Sequence, residues 1–406
     1  MTLRSKLPSK NLFFARLYYF TFMGGWGFIL PFANLFYISL GFSGKQIGLI
    51  ASTSAIVGMI ASPIWVSVVK QHPLAQRILQ VAIVLGAIGY YMIGRQISFL
   101  PIIIVIFLHS LAASGVMPLS DSMAVTVSQE SGLGYGSVRA WASLGWIISV
   151  LSSGQLIGRF GYIAGFIGVA IMWLIASTVV FFIQSHHFKN TQVQNQPRPG
   201  LRIALQRVLQ DRTLLGFAIA LVFIGFFNSG VLQFENVFLE QLGASKQLIS
   251  VAGILSAVVE LPFMIYADRF AHRIGAHRLM LIALTMTIFQ RLTVLLLPFI
   301  LIIMIVRFIG GVGFSFYTIS FIGLISSRTQ PSETGTVLAL YAVTIAGLVN
   351  IIAAPIGGAI FDAVGARWLY AFAAAGYLIG SMSLWLTRPH PSHLLKGEET
   401  SAPAQA

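Results

Sequence analysis

Long apolar runs broken by short polar segments recur from one end of the chain to the other. As helices, runs of about 20 such residues cross a hydrocarbon core of roughly 30 Å. The pattern predicts twelve helices: Asn11–Ser39, Gln46–Val69, Leu74–Gly94, Pro101–Val127, Ser137–Ile157, Ile163–Ile183, Thr213–Leu239, Leu248–Ala267, Leu279–Leu297, Leu301–Ser326, Thr334–Ile360 and Trp368–Leu386. Runs longer than a minimal span are accommodated by tilt or by short extension into the interface. Numbered 1 to 12 in chain order, these spans describe an all-α polytopic membrane protein. The run from Asn11 to Leu40 far exceeds the roughly 7–15 apolar residues of a cleavable signal core, so it is expected to remain as span 1.

One long polar interruption, Gln184 to Asp211, divides six spans from six. It gives a first bundle over 1–183, a linker over 184–212, a second bundle over 213–387 and a tail over 388–406 that is rich in Pro, Ser, Ala and Glu and expected to be disordered. QVQNQPRPG forms the centre of the linker, and RIALQRVLQDR follows it. That second part alternates apolar and basic positions at helical spacing, which predicts an amphipathic helix on the inner membrane surface, with a solvated basic linker as the alternative.

The two bundles repeat one another. NLFYISLGFS, Asn34 to Ser43, closes span 1, and NVFLEQLGAS, Asn236 to Ser245, closes span 7 with Asn, Phe, Leu, Gly and Ser at identical spacing. Pro63 and Lys70 correspond to Pro262 and Arg269, and Gly154 and Gly161 to Gly358 and Gly365. The order is preserved and an even number of spans separates the copies, as expected of a duplication that leaves two parallel bundles with a substrate path between them.

Composition agrees with a membrane setting: 57% of residues are hydrophobic and 9% charged, against roughly 25% charged in soluble domains. Cysteine is absent, which excludes disulfides and thiolate chemistry. If the N-terminus is cytoplasmic, Lys45, Arg95, Arg159, Lys246 and Arg367 fall outside, Arg291 and Arg307 lie within spans, and the other eighteen of the 25 basic residues face inward. This positive-inside bias predicts two cytoplasmic termini and, as the expected location, the plasma membrane. It also accounts for the net charge of +14 without nucleic acid as a partner.

Twelve spans, parallel repeats and a central loop resemble the major facilitator superfamily. YADRFAHRIGAHRLM, Tyr266 to Met280, is similar to that family's loop between the second and third helices of a half, with PIWVSVVKQHP, Pro63 to Pro73, as a degenerate copy in which Lys70 replaces the expected acid. GKQIG (Gly44–Gly48), YGSVRAWASLGW (Tyr135–Trp146), ELPFM (Glu260–Met264) and RFIGGVGF (Arg307–Phe314) resemble the branch of phenylpropionate permease-like proteins and nucleoside or oligosaccharide proton symporters. The resemblance implies the family fold and transport of a small organic solute by alternating access. It also implies a proton as coupling ion, lipid as surroundings and no cofactor. It assigns Asp268 and Arg269 to control of opening. Relatives often carry His-Gly in span 10, where this chain has Gly310-Gly311, so any proton role of that imidazole is absent.

Ionisable groups within a bilayer are costly and mark a pathway, a relay or a buried pair. Glu260, near the middle of span 8, is the first candidate for proton coupling or substrate contact, since burial disfavours its charged form and a nearby cation favours it. A permanently paired structural carboxylate is the alternative. Arg291 and Arg307 are candidates to partner Glu260 or to hold an anionic substrate. Asp121 and Arg139 are candidates for an ion pair at the inner ends of spans 4 and 5, either a latch or a static pair. Glu235 and Gln233, near the outer end of span 7, are candidates for the outer gate, with a solvated helix end as the alternative. Trp26, from an aromatic-rich span 1, and Asn34, Asn228 and Gln233 are candidate substrate-lining residues. His109 reads as a hydrogen-bonded structural residue. LGYGS follows no strand and no Walker, HExxH or GxSxG motif is present, so the chain reads as no enzyme.

The expected function is secondary active transport of a sugar, nucleoside or aromatic acid. The alternatives are an exporter or uncoupled facilitator of lipophilic compounds, and a non-transporting sensor or scaffold.

Overall fold

A computed structural model describes residues 10–69, 72–188 and 200–388. Lys70, the centre of the linker and the tail lie outside the described residues, as does the side chain of Asp268. Among the described residues, twelve helices are long and apolar enough to cross a membrane: Lys10–Ser39, Gly44–Val69, Ala75–Arg95, Phe99–Glu130, Gly136–Phe160, Tyr162–Phe181, Arg212–Gln241, Lys246–Met264, Ala276–Leu296, Ile300–Ser326, Pro331–Val364 and Ala366–Leu386. They are spans 1 to 12. Span 8 continues as helix to Ile274. A further helix, Leu201–Gln210, precedes span 7 and buries Ala204 and Val208. Its Arg207 donates to the carbonyl of Arg328, at the end of span 10, at 2.8 Å.

The repeated phrase is a helix-ending device. Gly41 and Gly243 occupy the left-handed region at φ 80° and 89°, which a residue with a Cβ adopts only at a cost, and so turn the chain out of spans 1 and 7. Two residues later Ser43 and Ser245 accept hydrogen bonds from the backbone N–H groups of Gln46 and Leu248, both at 3.2 Å, and start spans 2 and 8.

Packing repeats with the sequence. Span 1 lies against spans 5 and 6 as span 7 lies against 11 and 12, span 3 packs on span 6 as 9 packs on 12, and span 2 meets span 4 as 8 meets 10. The halves then meet through two equivalent seams, span 2 on span 11 and span 8 on span 5.

These seams close at the face of the bundle distal to the termini, and they close backbone to backbone. A Cβ on Gly358 would sit 1.9 Å from the Gly44 carbonyl oxygen, and one on Gly154 would sit 2.8 Å from the Lys246 carbonyl oxygen. The Asp362 carboxylate caps the start of span 2, accepting from the N–H groups of Gly44 at 2.6 Å and Lys45 at 2.9 Å. On the other seam the Lys246 ammonium joins Glu240 to the hydroxyl of Tyr162.

Asn34 and Asn236 add a reciprocal bridge. The side chain of Asn34 donates to the carbonyl of Gln233 at 2.7 Å, and that of Asn236 donates to the carbonyl of Pro31 at 2.8 Å. Each Asn therefore reaches the residue three positions before its counterpart. Pro31 lies in a 3₁₀ turn, Leu30–Phe32, where span 1 leaves regular α geometry.

Overpacking a closed contact costs roughly 1–3 kcal/mol. Gly358→Ala is expected to lower the melting temperature of purified protein, followed by intrinsic fluorescence, whereas Gly58→Ala, whose Cβ enters open space, is expected to leave it unchanged or raise it. Equal behaviour of the two variants would remove the backbone contact as a constraint.

Candidate functional site

Spans 7, 9, 10 and 12 bring five polar side chains together in the distal part of the second half. Glu235 Oε2 lies 3.0 Å from Arg307 Nη2, and Glu235 Oε1 lies 3.9 Å from Arg291 Nη1. Tyr370 donates its hydroxyl to Oε1 at 3.4 Å, and the Arg291 guanidinium stands 5.8 Å from the centre of the Tyr370 ring. Arg307 Nη2 also donates to Asn236 Oδ1 at 2.8 Å. Both arginines are largely buried, at 14% and 11% exposure, and the Nε of each has no partner among the described residues. Two guanidinium groups facing one carboxylate leave one formal positive charge in a dehydrated place.

The group opens onto a cavity of about 330 Å³ at the seam between the halves. Leu30, Pro31 and Trp146 line it from the first half, and Glu235, Asn236, Ser256 and Arg307 from the second. A second cavity, about 410 Å³, lies among spans 1, 2, 3, 4 and 6 and is lined by Trp26, Tyr37, Tyr90, His109 and Phe166 with Ser54 and Ser110. Leu30 lines both cavities. Trp26 leans on Phe22 and on Trp173, at ring separations of 5.1 and 6.0 Å. Trp173 is itself fixed by a hydrogen bond to the Phe22 carbonyl at 3.1 Å and by the bare backbones of Gly25 and Gly86. Trp26 thus offers a supported aromatic surface to the second cavity. His109 approaches the Gly86 carbonyl, with Nδ1 3.1 Å from it.

Several sequence expectations change. Arg291 and Arg307 pair with Glu235 and not with Glu260, because Glu235 lies at their depth while Glu260 lies deeper along span 8. Glu235 is accordingly no solvated helix end. No ion pair joins Asp121 to Arg139 among the described residues: Asp121 Oδ1 accepts the hydroxyls of Tyr19 at 2.6 Å and Tyr135 at 2.7 Å, which satisfy it within the first half. Asn34 and Gln233 bridge helices and line neither cavity; Gln233 donates to the Ala354 carbonyl at 3.1 Å. Asn228 is buried inside the packing of span 7. Arg269 is exposed near the terminal end of span 8, its guanidinium 5.8 Å from the Tyr266 ring centre.

Glu260 is half-buried, and its carboxylate makes no ion pair or hydrogen bond among the described residues. Its backbone is held firmly: Ser315 of span 10 donates to the Glu260 carbonyl at 3.0 Å, and Ser256 of span 8 donates to the Arg307 carbonyl at 2.7 Å. Asn236, Ser256 and Tyr370 were not foreseen in the sequence. Asn236 carried a signal, as the first residue of the repeated phrase, whereas the serine and the tyrosine are indistinguishable from their neighbours without a fold.

The family model described as MFS_1 like family matches residues 13–372. The maltose permease of Geobacillus stearothermophilus is 28% identical over 270 residues, 66% of each chain. The probable 3-phenylpropionic acid transporter of Escherichia coli (strain K12) is 28% identical over 147 residues, 36% of this chain and 38% of that one. Among solved structures, the nucleoside transporter NupG superposes with a TM-score of 0.77 at 15% identity, covering 93% of this chain and 98% of that one. The twelve spans have the major facilitator fold, and the chain belongs to the MFS_1 like family, as an integral membrane transporter and not an enzyme.

Proposed function

We propose that the protein carries a small organic carboxylate with an aromatic or apolar body, by alternating access and with proton coupling. The observation that carries this reading is the charge beside the seam cavity, where Arg307 and Glu235 line the wall and Arg291, outside the lining, leaves the group with one more cation than anion. A carboxylate entering there finds guanidinium N–H donors without removing one from water, which favours an anion over a neutral solute. The neighbouring cavity supplies aromatic surface through Trp26, Tyr90 and Phe166, and Leu30 lies between the two. The names of the relatives span a sugar, a nucleoside and an aromatic acid; the charge balance favours the last.

Arg307 links recognition to the seam. Its Nη2 donates to Asn236, whose own amide holds the Pro31 carbonyl across the halves. A solute carboxylate that takes this donor competes with Asn236 Oδ1 and loosens the bridge from inside. The positive-inside bias supports cytoplasmic termini, so the distal seam faces outward and the state described is inward-facing. Glu260, deeper in span 8 and free of a charged partner among the described residues, is the carboxylate best placed to exchange a proton with the open side.

Binding of 3-phenylpropanoate and of its uncharged amide, measured by calorimetry on purified protein, tests the substrate class. The carboxylate is expected to bind at least about tenfold more tightly, roughly 1.4 kcal/mol, and Arg307→Gln to abolish the difference. Amide and acid binding alike, or a sugar or nucleoside binding where the acid does not, would overturn the reading.

Glu260→Gln keeps shape and hydrogen-bonding capacity but cannot titrate. In reconstituted vesicles it is expected to lose gradient-driven accumulation while retaining solute binding and counterflow, which needs no net proton movement. Full accumulation in the variant would exclude Glu260 from coupling.

A further inference from the structure

The turn that follows span 6 carries two adjacent histidines, and both point at one carboxylate. His187 Nε2 lies 2.7 Å from Glu130 Oε2, and His186 Nε2 lies 3.4 Å from Glu130 Oε1. The two imidazoles lie with centres 3.9 Å apart and their planes tilted by 34°. Glu130 is the last residue of span 4, so the contact ties that span to the root of the linker.

The turn is held from three sides. Gln76 of span 3 donates to the carbonyls of Val180 at 2.8 Å and Ile183 at 2.7 Å. Asn11 of span 1 donates to the Gln184 side chain at 3.1 Å and accepts from its backbone N–H at 3.3 Å. His187 is 1% exposed, whereas His186 and Glu130 are open to solvent at 57% and 49%.

His187 Nδ1 lies 3.0 Å from the carbonyl of Gln184, a contact that requires Nδ1 to be the donor. In a neutral imidazole this leaves a lone pair on Nε2, directed at a carboxylate oxygen. Two acceptors at 2.7 Å repel unless something positive stands between them. A carbonyl that fixes the tautomer of a histidine, with the second nitrogen turned to an acidic group, is also how proteins orient metal-binding imidazoles.

We propose that His186, His187 and Glu130 form a binding site for a divalent transition cation of the Zn²⁺ type. Two imidazoles and one carboxylate match the donors such ions prefer, and three protein ligands leave positions for water. The candidate ligand atoms lie within 4.8 Å of one another. Tetrahedral Zn²⁺ separates its ligands by about 3.3 Å given bonds of roughly 2.0–2.1 Å, so Glu130 would draw back from His187 by about 0.6 Å while the exposed His186 and Glu130 side chains close any wider gap. The bound ion would clamp the linker root to span 4, on the face where the linker leaves the first half. Nothing in this site touches the seam cavity, so it is independent of the proposed substrate class.

Tag-free full-length protein titrated with ZnCl₂ by calorimetry, and with Co²⁺ followed by visible absorption, tests the proposal. Binding of one equivalent per chain is expected, with Co²⁺ giving the intense bands of low-coordinate geometry. His186→Ala and Glu130→Gln, both at exposed positions, should weaken it at least about tenfold with an unchanged elution profile and melting temperature. Histidines elsewhere, including those of the tail, remain in both variants, so binding that persists at wild-type strength would overturn the proposal. Absence of micromolar binding by the wild-type protein would do so too.

Discussion

The structure depends on how closely two helix backbones can approach at the seam. Gly44 and Gly358 on one seam, and Gly154 against Lys246 on the other, remove the side chains that would hold the halves apart. What joins them is then polar and short-ranged: a carboxylate on a helix start, serine and asparagine amide or hydroxyl groups on carbonyls, and one lysine. Each such bond contributes only about 0.5–1.5 kcal/mol net, more where a charge takes part. Apolar packing adds to these bonds, with the Phe361 ring beside Gly44 and one apolar cluster running across both halves. A contact of this kind holds a defined geometry through many short bonds, each weak alone.

Duplication explains why the seam is balanced. A pseudo-two-fold relation brings the copies of one phrase face to face, so the Asn that begins it meets the other copy's carbonyls and is met in return. The charged group breaks this symmetry. Glu235, Arg291 and Arg307 have no ionic counterparts among the described residues of the first half, which instead carries the Trp26, Tyr90 and Phe166 cavity. Two similar frames therefore hold two different linings, one charged and one apolar and aromatic.

The spans and the repeat were legible because hydrophobic length and spacing are one-dimensional properties. Depth in the membrane was legible too, which is why Arg291 and Arg307 stood out as intramembrane charges. Rotation about a helix axis was not. Depth alone left Glu260 as their candidate partner, and Glu235, near a helix end, read as solvated; the packing of span 7 against spans 11 and 12 turns it inward to the arginines. Asp121 misled for a similar reason. The sequence shows a nearby arginine, but the tyrosines of span 1 and of the loop before span 5 reach the carboxylate first.

The glycine pair in span 10 shows how a missing side chain changes the neighbouring chemistry. A Cβ on Gly311 would lie 2.4 Å from the Ser256 carbonyl oxygen, so spans 8 and 10 meet there with backbone against backbone. The approach allows a serine from each helix to bond the carbonyl of the other helix's charged residue, Ser256 to Arg307 and Ser315 to Glu260. With no imidazole between them, the two helices hold the charged residues at fixed relative depth and leave the Glu260 carboxylate without a protein cation beside it among the described residues. In the coupling proposed above, access of water to this one carboxylate decides its protonation, with no imidazole in span 10 to relay the change.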